Sequence, residues 1–530
     1  MVAAGISAAS SLEQAVSLIC HSIVHREQNQ LDAALACLNR ALEFLPDFHA
    51  CHVSRSEILL ALKRYDEALA DLDVVEQTGL ASDEVAAIRA AILDAATQQF
   101  AERIADNPND SAVYIQRANF FFAAREFPLA LQDYERALQL AGCLDETTQF
   151  KRAFAHSELG QQTSALATYE VLLGQNPKHT LAWFNRGYVL EQMHRYREAR
   201  ESFAQAAKLN PGLAQAHLEQ AHCYLAEGDF QHGWPLYEWR WHTPQLAQRR
   251  LSSAKPLWLG DLPLHDKTLL LWAEQGLGDT IQFARFVTRL ADQAKQVILL
   301  APAPLCDLLA TLDSRVQVLA KQPNHLPEHD VHCPLMSLSL ALNISRADIR
   351  TQAPYLRANP ALRTLWRERL GDSSAPRIGL AWAGRQQGLP NPSRDIPLDV
   401  LRPLFDGSVE FIALHDRIKD QEQSLVANWP SFRQFAAELT DMAQTAALIA
   451  NLDLVITVDT AVAHLAGALG KPCWLLLRHS AEWRWQLDTE RTPWYPAMRL
   501  FRQAEPGAWP GVIDAIRREL AFTQLYPSTH

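Results

Sequence analysis

Along the first half of the chain, small residues recur at one phase. They are Ala34, Ala68, Ala96, Ala130, Ala165, Ala199 and Gly233, spaced by 34, 28, 34, 35, 34 and 34 residues. Four positions after each stands a large apolar side chain: Leu38, Leu72, Phe100, Tyr134, Tyr169, Phe203 and Tyr237. Residues four apart share a helical face. The small residue lets two helices approach, and the large one fills the gap beside it. Pro46, Pro108, Pro177 and Pro211 close several units, because proline cannot continue a helix. The pattern predicts helical hairpins from about residue 15 to 240, without strands, in about seven units. The unit around Ala96 is short and its first helix is degenerate. One hairpin cannot bury its own apolar face, so stacking supplies the core and leaves a concave surface suited to a protein partner.

After Trp241 the period changes. Residues 242–266 hold Pro244, Pro256 and Pro263 and read as a connector. Short apolar runs then alternate with amphipathic stretches. Strands are expected at Lys267–Trp272, Val297–Leu300 and Val316–Leu319, with helices near Thr280–Asp292 and Leu305–Leu312. A second alternation begins with strand Ile378–Trp382. Helix Leu398–Phe405, strand Glu410–Leu414, helix Asp441–Asn451, strand Leu454–Val458, a helix from Ala461 and strand Cys473–Leu477 follow. This order predicts parallel sheets with helices on both faces. Residues 353–376, with three prolines and several charges, read as a hinge between two lobes. The expected layout is an α-solenoid (1–241), a connector (242–266), an N-lobe (267–352), a linker (353–376) and a C-lobe (377–530).

A length of 530 residues supports more than one core. The net charge of -11 argues against nonspecific nucleic-acid binding, which needs a basic surface. None of the eight cysteines forms a CxxC pair, so they read as reduced thiols and not as a metal or redox site. No apolar run reaches the ~18 residues of a membrane span. A cytoplasmic protein is the default expectation.

Three loops follow predicted strands. Ligands in such sheets bind at the strands' carboxyl ends. In Glu274-Gln275-Gly276-Leu277-Gly278-Asp279-Thr280, Gly276 and Gly278 allow close backbone approach. Asp279 reads either as a helix cap or as a general base for an acceptor hydroxyl. In Asp459-Thr460-Ala461-Val462-Ala463-His464, a helix start offers N–H groups and a hydroxyl to a pyrophosphate. His464 lies one turn on, on the same face. The competing reading is a capping Asp459 and a half-buried His464. Arg385 and Arg394, in the third loop, either neutralise a departing diphosphate or are solvated loop charges.

The repeat half, with Trp183, Gly187 and Leu190 supplying first-helix positions in its clearest unit, resembles the tetratricopeptide repeat. Residues 267–520 resemble the heptosyltransferase-like family 9 glycosyltransferases through Leu277-Gly278-Asp279 and Asp459-Thr460-Ala461-Val462-Ala463-His464-Leu465-Ala466 with Pro472. That resemblance implies a GT-B fold of two Rossmann-like lobes. It also implies inverting, metal-independent transfer with no cofactor beyond a nucleotide-diphosphate sugar as co-substrate. The family's first-loop base falls on Asp279. Its donor-binding helix start falls on Asp459 and Thr460, with Ala461 where the family usually has Gly. Arg394 is the counterpart of its third-loop basic residue. Repeats followed by GT-B also resemble the layout of the O-linked N-acetylglucosamine transferases, whose catalytic motifs are not found here.

The function expected is transfer of a sugar to a protein or glycan acceptor, with the repeats recruiting acceptor or partner. Two alternatives stand beside it. One is a non-catalytic scaffold with a degenerate transferase domain, and the other is an ADP-heptose lipopolysaccharide heptosyltransferase.

Overall fold

A computed structural model describes residues 2–78, 82–322, 325–350, 354–384, 394–415, 417–418, 420–427, 429, 431–487 and 489–525. Among these, the elements before residue 268 are helices, from Val2–Glu27 to Pro244–Ala247, followed by an isolated bridge of Leu257 to His332. The phase residues Ala34, Ala68, Ala96, Ala130, Ala165 and Ala199 are all fully buried. Each lies on the second helix of its unit. At Gly233 the reason is visible. A Cβ there would come within 2.5 Å of the Leu225 side chain on the preceding helix.

The turns within hairpins use a left-handed residue at Asn29, Lys63, Arg125, Gly160, His194 and Gly228. Where the short unit would need one, a single helix runs unbroken from Asp83 to Asp106. Ser82 caps that helix by accepting from the Val85 N–H. The degenerate first helix is therefore merged into its successor.

The chain forms two compact units, Met1–Val189 and Leu190–His530. Repeat pattern and compactness thus divide the chain at different places. The reason is aromatic. Trp234, 2% exposed, sits edge-on to Phe283 and Trp483, with centroids 6.3 and 5.6 Å away. Its indole N–H donates to the Ile344 carbonyl at 2.9 Å. Phe230 meets Trp494 edge-on at 6.2 Å. The last helices therefore share a core with the α/β part.

Two all-parallel sheets follow. The first orders its strands β3-β2-β1-β4, where β1 is Thr268–Trp272, β2 Gln296–Ala301, β3 Val316–Ala320 and β4 Val331–Pro334. The second is β10-β9-β8-β5-β6-β7, with β5 Arg377–Ala381, β6 Glu410–Ala413, β7 Phe432–Arg433, β8 Leu454–Val458, β9 Cys473–Leu477 and β10 Met498–Arg502. In each sheet the first strand in sequence is central and the chain later returns to its other side. This creates a switch-point crevice between β1 and β4, and another between β5 and β8. The result is the two-lobed GT-B fold after a helical repeat region.

Several elements differ from the pattern-based expectation. The first N-lobe helix starts at Leu277, not Thr280, and ends at Ala284 before a 3₁₀ turn, Val287–Arg289. Strands β4, β7 and β10 and the helix Trp509–Leu525 were not expected. Residues 353–376 are not all hinge. They hold a helix, Pro360–Leu370, capped by Asn359 and ended by Gly371 in the left-handed region. The connector adds an edge contact, Trp258 N–H donating to the His332 carbonyl on β4 at 2.8 Å. No helix among the described residues is long and apolar enough to cross a membrane.

The shared core makes a direct prediction. Trp234→Ala should destabilise the second unit by about 3–5 kcal/mol, the usual cost of removing a buried aromatic. A truncated protein starting at residue 242 should melt far below one starting at residue 180. Equal melting temperatures would show that the last helices are not part of this core.

Candidate active site

The Leu277–Ala284 and Ala461–Ala468 helices come from different lobes and begin at one cavity. It measures about 200 Å³ and is lined by Gly278, Asp279, Arg394, Asp459, Thr460, Ala461 and His464, among others. A wider cleft of about 590 Å³ adjoins it. Gly278, Arg394, Thr460 and Ala461 line that cleft too, joined there by Gly276 and by Ala381 and Leu414 at the carboxyl ends of β5 and β6. The structure thus brings together all the predicted site residues that it describes. Arg385 lies outside the described residues.

Close packing requires Gly278. A Cβ there would lie 2.8 Å from His464 Cδ2. His464 is buried, bonds through Nδ1 to the Tyr495 hydroxyl at 2.9 Å and stacks on Trp485 at 5.3 Å. Burial, reinforced by Arg484 and Arg285, holds its imidazole well below the usual range, so it is neutral at pH 7.

Asp279 is engaged on both oxygens. Oδ2 accepts the Gly276 N–H at 3.0 Å, as a first-turn acid closing the helix start. Oδ1 pairs with the Arg484 guanidinium. Gly276, not Asp279, is thus the N-cap; Asp279 closes the helix start from the third helical position and lies on the cavity wall. Burial raises the Asp279 carboxyl above its ordinary range, against the opposing pull of Arg484.

Asp459 is not a cap. Thr460 occupies the N-cap position, and Asp459 Oδ2 instead accepts the Trp485 indole N–H at 2.8 Å. Burial and the nearby Glu482 push its carboxyl up to about 7. The Thr460 hydroxyl makes a 3.3 Å contact with Thr457 Oγ1 and gives no cap to the helix. That helix start therefore faces the cavity without a side-chain acceptor, a ready anion site. Arg394 makes a 3.3 Å bond to Asp395 and keeps its place on the walls of both spaces.

Pattern reading missed the segment after β9. Arg484, 5% exposed, donates to Gln282 at 2.7 Å and pairs with both Asp279 and Glu482. Burial opposes its charge, but Asp279 and Glu482 outweigh that and keep it protonated. Burial also works against charge on Glu482, yet Arg484 and other cations hold its carboxyl low. Trp485 and Tyr495 fix Asp459 and His464 as described. A signal was present. Ala481-Glu482-Trp483-Arg484-Trp485 follows the carboxyl end of a parallel strand, as the three recognised loops do.

Comparisons with known proteins follow the same division. The family model for Glycosyltransferase family 9 (heptosyltransferase) matches residues 417–506. Tetratricopeptide repeat models match residues 21–82, 147–179 and 180–213. Protein FlbA of Caulobacter vibrioides is 25% identical over 394 residues, 68% of this chain and 65% of FlbA. Human Tetratricopeptide repeat protein 6 is 24% identical over 208 residues, 36% of this chain and 39% of that protein. The matches thus span just under two thirds of FlbA and about two fifths of the human relative. Among solved structures, the E. coli ADP-heptose lps heptosyltransferase II is 15% identical, with a TM-score of 0.35, over 48% of this chain and 99% of that one. YrrB, a TPR protein, is 17% identical, with a TM-score of 0.26, over 38% of this chain and 90% of that one. The chain thus carries tetratricopeptide-repeat matches in its helical half and a glycosyltransferase family 9 (heptosyltransferase) match within its second sheet region.

Proposed function

We propose that the cleft transfers a sugar from a nucleotide-diphosphate donor to a hydroxyl acceptor with inversion at the anomeric carbon. The observation that carries this reading is the meeting of two helix starts at one cavity. One brings a carboxylate, Asp279, and the other an uncapped helix N-terminus at Thr460 and Ala461, beside Arg394 and Arg484. The acceptor oxygen bonds to the anomeric carbon as the bond from that carbon to the diphosphate breaks. The acceptor's proton passes to Asp279, and the electron pair leaves with the diphosphate. Arg394 and the N–H groups at Thr460 and Ala461 stabilise that leaving charge. The diphosphate sugar acts as co-substrate, and the side chains named supply the acid–base and electrostatic work. The acceptor is a protein or a glycan, and the repeats recruit the acceptor or a partner protein on their concave face.

The Arg484–Asp279 pair favours a second reading of one role. There, Asp279 aims Arg484 at the diphosphate and does not take the proton. A double-mutant cycle separates the two. As a base, Asp279→Asn should lower turnover at least about a hundredfold, with near-normal folding and donor binding. It should also remove the acidic limb of the pH–rate profile. As a holder of Arg484, it should add no further loss in an Arg484→Ala background.

Donor contact by Arg394 predicts that Arg394→Ala weakens nucleotide-sugar binding by about 1.5–3 kcal/mol, the scale of a charged hydrogen bond. Unchanged affinity, measured by calorimetry with the nucleotide sugar that most raises the melting temperature, would remove Arg394 from the site.

The raised Asp459 carboxyl gives a pH prediction. Below about 7 it is neutral; above that it is an anion facing the diphosphate. A nucleotide-diphosphate sugar does not itself titrate there. Donor affinity should therefore fall as pH rises through 7, by up to about tenfold per pH unit for one coupled proton. Asp459→Asn should bind with little pH dependence between pH 6 and 9. A wild-type affinity flat across that range would refute the neutral Asp459.

A further inference from the structure

In open parallel sheets the crevice at the switch point ordinarily receives a ligand. In the N-lobe that crevice lies between the carboxyl ends of β1 and β4, and the chain itself fills it. Glu274, just beyond β1, accepts the N–H groups of Leu335 and Met336, just beyond β4, at 3.1 and 3.2 Å. Its remaining partner is Arg240, from the turn that ends the last repeat, at 3.1 Å. Both side chains are 1% exposed. Arg240 also donates to Ser337 at 2.7 Å and to Glu238 at 2.5 Å, and its guanidinium lies over the rings of Tyr237 and Trp241.

A second tie runs in parallel. The Gln275 side-chain amide donates to the Tyr237 hydroxyl at 3.2 Å. Glu274 and Gln275 lead directly into Gly276, whose N–H holds Asp279. The Tyr237 hydroxyl also lies within electrostatic reach of Asp279 and Arg484.

We propose that Arg240 and Tyr237, residues of the last repeat, are positioning residues for the transferase: by holding Glu274 and Gln275 they fix the loop that aims Asp279 into the cavity. The proposal rests on the reading of Asp279 given above. The repeat does not only recruit a partner; its final turn completes the N-lobe half of the site. A buried, forked guanidinium suits that task. Its Nη2 reaches Glu274 and Ser337 while its Nη1 reaches Glu238, a planar spread of donors that the single nitrogen of a lysine does not reproduce.

The test needs no donor, so its outcome is independent of whether the cleft transfers a sugar. Tyr237→Phe in the full chain removes one hydroxyl, which accepts from Gln275 and donates weakly to Met336 Sδ at 3.8 Å, and leaves the ring packing. Amide hydrogen exchange followed by mass spectrometry should then quicken about three- to tenfold in peptides spanning 274–283, the consequence of one lost hydrogen bond. The melting temperature and the exchange of β2 and β3 should not change. The paired variant Arg240→Met with Glu274→Gln removes both members of the fully buried pair and leaves only the partly exposed Glu238, still bonded to Ser337, without its cation. It should quicken the same peptides and shift the Asp279 titration seen by carboxyl-carbon NMR, and Arg240→Lys, which keeps the charge but not the planar donors, should do likewise. Unchanged exchange at 274–283 in Tyr237→Phe overturns the proposal. So does acceleration spread evenly over the second unit, which marks these residues as general core. Should the paired variant not fold, Tyr237→Phe decides alone.

Discussion

The contact between Gly278 and His464 is the constraint on which the site depends. Two eight-residue helices, one from each lobe, must begin within a side chain's reach of each other. Only a residue without a Cβ allows the imidazole to lie where it does. From His464 the order propagates outward. Its ring stacks on Trp485, Trp485 bonds to Asp459, and Tyr495 holds the far side of the imidazole. Neutrality matters here as much as shape. A charged imidazole would be buried next to Arg484 and Arg285, and both burial and those cations oppose it.

How much of this was legible depended on whether the physical demand was local. The repeat phase was readable because each close helix approach needs a small residue at a fixed interval. The six alanines of that phase are all buried. The loops at Asp279 and Thr460 were readable as ends of apolar runs. The Arg484–Asp279 pair was not, since it joins residues 205 positions apart and no local period encodes it. Strand β4 was missed because Val331–Pro334 is four residues long and ends in proline; its place comes from pairing with β1. The helix Pro360–Leu370 did carry its signals: Asn then Pro at the start and Gly at the end. The prolines and charges around it suggested a hinge instead.

The charges of the cavity are balanced around one buried cation. Arg484 contacts two acids directly and lies near a third, Asp459. A diphosphate entering this space adds negative charge to a wall already holding Asp279 and Glu482. Attraction then depends on Arg394, on the uncapped helix start at Thr460, and on Asp459 keeping its proton. Burial is the main cause of the elevated Asp459 carboxyl, and the proton it keeps suits the proposed anion binding.

The repeats cannot be a detachable arm along their whole length. A buried Trp removes roughly 200 Å² from water, or about 5 kcal/mol at ~25 cal/mol per Å² as an upper estimate. Trp234 alone therefore represents a large part of the ~5–15 kcal/mol that holds a typical domain together. Its ring meets Phe283 in one lobe and Trp483 in the other, while Phe230 beside it meets Trp494. Arg285 adds a bond across the lobes, donating to the Trp494 carbonyl at 3.0 Å. Any wide opening of the two lobes would pull Trp234 from one partner or the other and expose apolar surface at similar cost. Access to the cleft through movement of its bordering loops avoids that cost, because it leaves the aromatic core in place.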